Sequence, residues 1–203
     1  MEDLYNKLMA LSRKDDTPFF HADARFEKFY YRIFSYHFTD KDSWLLPGAL
    51  ESRGIMFEVD EHGKFIRVAS RTMQKFFNKG EVDFIEYGEI DTVMNKADES
   101  LISSYTDGLG YLRLKSKTSI HSEYAMLAQE ILYSDENVDL LEWIIAIEKV
   151  GYTVNLELVS PDPKFRIVLH YSEPKLIVLN ARHRETGKYL DFSELPESYF
   201  TGV

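Results

Sequence analysis

Apolar side chains recur along this chain with two periods, one helical and one of two. Leu4, Tyr5, Leu8, Met9 and Leu11 fall at helical spacing and predict a short amphipathic helix over residues 2–12. The aromatic-rich stretch 28–38 predicts a strand, and Asp40 to Pro47 a turn anchored by a buried Trp44. Residues 53–59 and 64–70 flank Asp60-Glu61-His62-Gly63, a hairpin signal; 101–106 and 110–115 flank Asp107-Gly108, a second one. Residues 92–96 predict a short strand. Two helices are predicted over 121–133 and 137–150, the second apolar enough to be well buried and ended by Gly151. Strands return at 153–159, 165–171 and 175–181, and Glu185-Thr186-Gly187 reads as a turn. The tail from Asp191 to Val203 is polar and is expected to be a trimmed or truncated end without a closing element of its own.

Hairpins, then a helical pair, then more strands is an α+β order, not an alternating β-α-β one. The 203 residues show no break in composition and no internal repeat, which suits one domain. Hydrophobic residues at 44% and aromatics at 14% supply a sizeable core. Cysteine is absent, so disulfide scaffolds and thiolate zinc sites are excluded. The N-terminus is polar from its first turn and no apolar run approaches a bilayer span, so a cytoplasmic location without a membrane partner is expected. A net charge of -10 argues against sequence-independent coating of a nucleic-acid duplex, but not against a local basic pocket for a nucleotide. His21, His37, His62, His121, His170 and His183 form no metal-ligand cluster, and no P-loop or Gly-x-Gly-x-x-Gly is present.

The residues with chemical promise are polar groups set among these strands. Lys96 begins Lys96-Ala97-Asp98-Glu99-Ser100 at the end of the predicted short strand. Arg53 opens Arg53-Gly54-Ile55-Met56-Phe57-Glu58, Lys75 and Phe77 follow the first hairpin, and Lys115-Ser116-Lys117 closes a strand. In the run Thr153 to Val159, alternation sends Val154, Leu156 and Leu158 one way and Asn155 and Glu157 the other, into a cleft or into water. Taken singly, each is what the wet face of a strand or a core normally carries.

Together, and in this order, they resemble the T4-type RNA ligase 1 family of ATP-dependent RNA ligases, within the covalent nucleotidyltransferases. The hallmark of that superfamily is Lys-x-Asp-Gly, which Lys96-Ala97-Asp98-Glu99 matches at all but its last position. Tyr31 to Tyr36, Asp42 to Pro47, Glu51 to Glu58, Lys115 to Lys117 and Arg166 to Leu169 read like the same family, so the resemblance runs from about residue 2 to about residue 190. It implies an antiparallel-sheet, ATP-grasp-like nucleotidyltransferase domain with flanking helices, incomplete at its C-terminus. It also implies ATP and Mg2+ as cofactors, and as partner an RNA with 5′-phosphate and 3′-hydroxyl ends, tRNA among them. Lys96 matches the nucleophile that takes AMP. Arg53 matches an adenylate contact, Phe77 an aromatic on the adenine face with Lys75 beside it, and Tyr36 a further nucleotide-site residue. Lys115 and Lys117 match lysines that approach phosphate. Glu157 matches the glutamate of the third motif, near the ribose and the metal.

The chemistry accounts for those residue types. An amine attacks phosphorus only when deprotonated, so a nucleophilic lysine needs desolvation and neighbouring cations. Arg53, Lys75, Lys115 and Lys117 are the cations on offer, and the same charges stabilise phosphates during transfer. Two departures from the family stand out. Glu99 replaces a glycine, adding bulk and negative charge beside a triphosphate. The family's later Glu-Gly-x-Val and Lys-x-Lys motifs, and its C-terminal tRNA-recognition domain, are not found. Two functions follow as expectations: the N-terminal part of a ligase acting through lysyl-AMP, whole in nature and shortened here or completed by a separate C-terminal half, or a degenerate ligase fold that binds a nucleotide, an RNA end or a protein without chemistry.

Overall fold

Aromatic and β-branched side chains at alternate positions draw residues 19–70 into one antiparallel meander. Strands β1 (Phe19–Phe26), β2 (Phe29–Tyr36), β3 (Met56–Val59) and β4 (Phe65–Ser70) lie in chain order across this first sheet. Helix α1 (Glu2–Ser12) lays Tyr5, Leu8 and Met9 against Phe34, Phe57, Val59 and Val68. The computed structural model describes residues 1–14, 17–86, 88, 89, 96, 97, 99–165 and 171–196.

The second sheet is also antiparallel. Its strands β5 (Ser100–Thr106), β6 (Leu112–Ser116), β7 (Tyr152–Val159) and β8 (Lys175–His183) take the order β6-β5-β7-β8. Helices α2 (Glu123–Leu132) and α3 (Val138–Lys149) cover one face of it, packing Ala128, Leu132, Leu140 and Ile144 on Ile102, Leu114, Val154, Leu156 and Leu158. Each fully buried Leu or Ile there contributes roughly 1.5–3 kcal/mol. Ser122 caps α2, its hydroxyl accepting from the Ala125 N–H at 3.2 Å. Gly151, at φ +95°, reverses the chain after α3. Helix α2 also reaches the backbone of β6, which stands at the end of the sheet order: Tyr133 Oη, just past the helix, donates to the Leu112 carbonyl at 3.0 Å, and Gln129 Oε1 accepts from the Leu114 N–H at 2.8 Å.

The two sheets are joined by an apolar patch and a polar one. Tyr31, Ile33, Met56 and Ala69 of the first pack on Tyr105 and Ile120 of the second half. Glu51 anchors the polar patch. Its carboxylate accepts from Arg182 at 2.7 and 2.8 Å, from Arg71 at 3.0 Å and from Gln74 at 2.9 Å. Burial pushes the Glu51 carboxyl upward, but the two guanidinium groups outweigh it and hold the group below the usual carboxylate range.

The α+β expectation holds, with two antiparallel sheets and three α-helices among the described residues. Strand β1 goes beyond the elements expected from the sequence: Phe20, Ala22, Ala24 and Phe26 do alternate with His21, Asp23 and Arg25, but two of the apolar positions are alanine, a weak strand former, and the hairpin turns at Glu27-Lys28 instead of a glycine. Arg53 precedes its strand: residues 52–54 form a turn and β3 starts at Met56. All but the last residue of the strand expected over 92–96, and most of the one over 165–171, lie outside the described residues. The tail is less detached than its polarity implied, since Leu195 packs on the helix-covered core.

Candidate functional site

The face of the second sheet turned away from the helices is polar yet buried. Thr153, Asn155 and Ser103 are fully or almost fully enclosed. Asn155 spans the sheet, its Oδ1 accepting from Ser103 Oγ at 2.8 Å and its Nδ2 donating to Asn180 Oδ1 at 2.9 Å. One step along β7, Glu157 accepts the Glu99 N–H at 2.6 Å. The alternation read in the sequence is therefore correct in direction, and the outward face opens into a cleft instead of bulk water.

That cleft is a cavity of about 520 Å³. Arg53, Lys96, Glu157 and Asn180 supply its polar groups; Met73, Leu179, Leu190 and Phe192 its apolar wall; Phe76 and Tyr189 its rings. The size and the mix of apolar wall with a few convergent polar groups suit a nucleotide. The side chain of Lys96 is exposed at the cavity, and Ala97 lines it too. The wall is held by bonds to the residue-51 cluster and β8: Arg182 donates to the Thr72 carbonyl at 2.9 Å, Arg53 donates to the Gln74 carbonyl at 3.2 Å, and Asn180 Nδ2 reaches Met73 Sδ at 3.8 Å.

Arg53 is presented by a turn with no room for a side chain at its next position. Gly54 has φ +99°, and a Cβ there would stand 2.8 Å from the Lys117 carbonyl oxygen. Under this turn Lys115 is fully buried and donates to the Gly54 carbonyl at 2.6 Å and to its neighbour's, Ser116, at 3.1 Å. Burial pulls its amine down to about 7. The alternation with Leu114 places Lys115 on a wet face; the structure places it between the sheets.

A second group of cations and rings adjoins Arg53. Lys117 Nζ sits 4.1 Å from the centre of the Tyr36 ring. Burial lowers the Lys117 amine, and the charges of Arg53 and Lys75 lower it further. Lys75 Nζ lies 4.8 Å from the Phe77 ring centre and donates to the Phe76 carbonyl at 2.8 Å. Tyr36, Trp44 and Phe77 stack edge to face, with centroids 4.6 and 5.8 Å apart.

The structure thus brings Lys96, Arg53 and Glu157 to one cavity, with Glu99 buried behind Glu157. Tyr36, Lys75, Phe77, Lys115 and Lys117 form the supporting set around Arg53 and are not among the lining residues. Asp98 lies outside the described residues. Sequence reasoning missed Phe76, whose ring lies 5.8 Å from the Arg53 guanidinium, and Asn180, hidden in the apolar run of β8. For a magnesium ion, Glu157 is the carboxylate in place, and this suits a metal that takes one or two carboxylates and otherwise substrate phosphates.

A family model described as RNA ligase matches residues 51–200. RNA ligase 1 of Bacteriophage TS2126 is 30% identical over 167 residues, which cover 78% of this chain and 40% of that protein. A protein of Thermovibrio ammonificans with a provisional RNA ligase name is 29% identical over 160 residues, covering 77% of this chain and 40% of its own length. The chain thus spans about 40% of the length of the curated relatives it matches.

Proposed function

The chain belongs to the RNA ligase family, and from that membership we propose that it carries out the nucleotide-transfer half of ATP-dependent RNA joining. The observation that carries the proposal is the convergence of Lys96, Arg53 and Glu157 on one nucleotide-sized cavity. In the proposed reaction Lys96 Nζ, having lost a proton to solvent, attacks the α-phosphorus of ATP. An N–P bond forms, the bond to the bridging oxygen breaks, and pyrophosphate leaves. The AMP then passes to an RNA 5′-phosphate, and a 3′-hydroxyl displaces it to form a phosphodiester.

Arg53 opposes the developing negative charge, and Lys117 and Lys75 add to the positive field around it. Phe76 and the apolar wall exclude water from the purine. Glu157, with the substrate phosphates, would hold a magnesium ion, which would supply charge neutralisation at the leaving group. Within this reading residues 1–203 form part of an adenylyltransferase domain, tRNA is a candidate RNA, and a portion equivalent to the remaining length of the relatives, on the same or a separate polypeptide, completes it.

Intact-mass measurement after incubation with ATP and Mg2+, with and without that remaining portion from a relative, tests the proposal. The expected result is an AMP adduct on Lys96, absent in Lys96→Ala. No adduct under either condition defeats it. A second reading is favoured by one observation: Glu99, 8% exposed and joined through its N–H to the Glu157 carboxylate, stands where the family motif has glycine. That reading is a nucleotide- or RNA-end-binding protein of ligase fold. It predicts ATP binding without an adduct.

A further inference from the structure

A second cavity, of about 570 Å³, shares no lining residue with the first. It runs between the tip of the β1–β2 hairpin, strand β6 and helix α2. Rings form much of its wall: Phe26, Tyr105, Tyr111 and Tyr133. Two of them present much of their surface to solvent, Tyr111 at 61% and Tyr133 at 50%.

One cation stands on a ring of the cavity itself, and two more stand on rings of the adjoining hairpin tip. The Arg113 guanidinium lies 4.7 Å from the Phe26 ring centre, Arg25 lies 5.2 Å from Tyr30, and Lys28 Nζ lies 5.6 Å from Phe29. Arg25 and Lys28 are exposed on the hairpin tip, and His121 bonds the Arg25 carbonyl at 3.0 Å, tying the α2 end of the groove to that tip. Three carboxylates belong to the same face, exposed Glu27 between Arg25 and Lys28 among them. Asp107 is fully engaged, by Arg113 at 3.0 Å and by the N–H groups of Leu109 and Tyr111, while Glu130 lines the rim. In a protein of net charge -10 this face is locally near neutral, its cations Arg25, Lys28 and Arg113 set against Glu27, Asp107 and Glu130.

Exposed rings on which bases stack, beside cations that meet the backbone, are the recognition chemistry of a single nucleic-acid strand. We propose that this groove binds single-stranded RNA, holding nucleotides of the substrate away from the end that reacts. The proposal deepens the RNA-joining reading and rests on it for the choice of RNA as occupant. Tyr111 supplies a stacking platform, and Arg25 and Lys28 meet phosphates.

The test is fluorescence anisotropy of the full chain with a labelled, short oligoribonucleotide that has a 5′-hydroxyl and a blocked 3′ end, so that it can be neither activated nor joined. Variants are Tyr111→Ala and the charge reversal Arg25→Glu/Lys28→Glu, all at exposed positions. Each is expected to weaken binding by about tenfold or more, the reversal also flattening the salt dependence. The AMP adduct on Lys96, read by mass on the same samples, is expected to be unchanged. Unaltered RNA affinity in both variants overturns the proposal. So does an absence of RNA binding by the parent chain, or binding lost only on Arg53→Ala. RNA affinity that falls in these variants while no adduct ever forms would retain the groove and sink the transfer reaction instead.

Discussion

Replacing Lys115 with methionine separates the stability of the fold from its proton. Lys115 is wholly enclosed, both its hydrogen-bond partners are backbone carbonyls, and burial lowers its amine from 10.5 to about 7. The unfolded chain therefore binds a proton that the native state resists, and native stability must rise with pH across that window. Below about 7 both states are protonated and the burial cost is fully present; it disappears as pH climbs through the unfolded value. Each unit of separation corresponds to about 1.4 kcal/mol, so the wild type gains about 2 kcal/mol between pH 7 and pH 9 from this group alone. Lys115→Met lacks the proton and the gain, and it also leaves the Gly54 carbonyl without its donor, at a cost of about 1–3 kcal/mol. Urea unfolding of both proteins at the two pH values gives the difference directly, because other titrating groups cancel. Parallel pH dependence, within about 0.5 kcal/mol, would refute the assignment of a largely neutral buried amine.

The turn beside it makes its own prediction. Gly54→Ala must relieve both a φ of +99° and a Cβ 2.8 Å from the Lys117 carbonyl, so urea unfolding should show a loss of more than about 1 kcal/mol, with weaker ATP binding as Arg53 shifts. Phe76 and Phe77 should separate cleanly. Phe76→Ala, at a ring 56% exposed on the cavity, should lower ATP affinity in calorimetry with little change in Tm. Phe77→Ala removes ring contacts with Trp44 and Phe84 and should cost about 1–3 kcal/mol of stability; the reverse pattern would return the nucleotide contact to Phe77. Glu99→Gly removes a buried acidic residue whose N–H bonds Glu157, and the rate of adduct formation should rise about tenfold by mass spectrometry. A slower rate would show that Glu99 supports the site.

Periodicity exposed most of the frame. Helix α1, both central hairpins, the pair α2 and α3, and Gly151 as a stop are all legible because local spacing decides them. Lys115, Asn155 and Thr153 were not legible as buried residues. Alternation says which face a side chain shares, and only the packing of one sheet against another says whether that face is wet. Arg53, Lys96 and Glu157 were legible as a set through family order, while Glu51 was not. Its importance arises from Arg71 and Arg182, which converge on it from opposite sheets and from distant parts of the chain. Phe76 and Phe77 are adjacent, and only the turn of the backbone decides which ring meets the cavity.

The bonds from Tyr133 and Gln129 to β6 have a further consequence for self-association. A strand at the end of a sheet is ordinarily a template on which another chain can grow. Here the template is occupied at Leu112 and Leu114 by side chains of the same protein. Fibril-like stacking through β6 would first have to peel α2, with Ala128 and Leu132, away from Leu114 in the core, so this border of the sheet stays closed to strand addition for as long as the helix is docked.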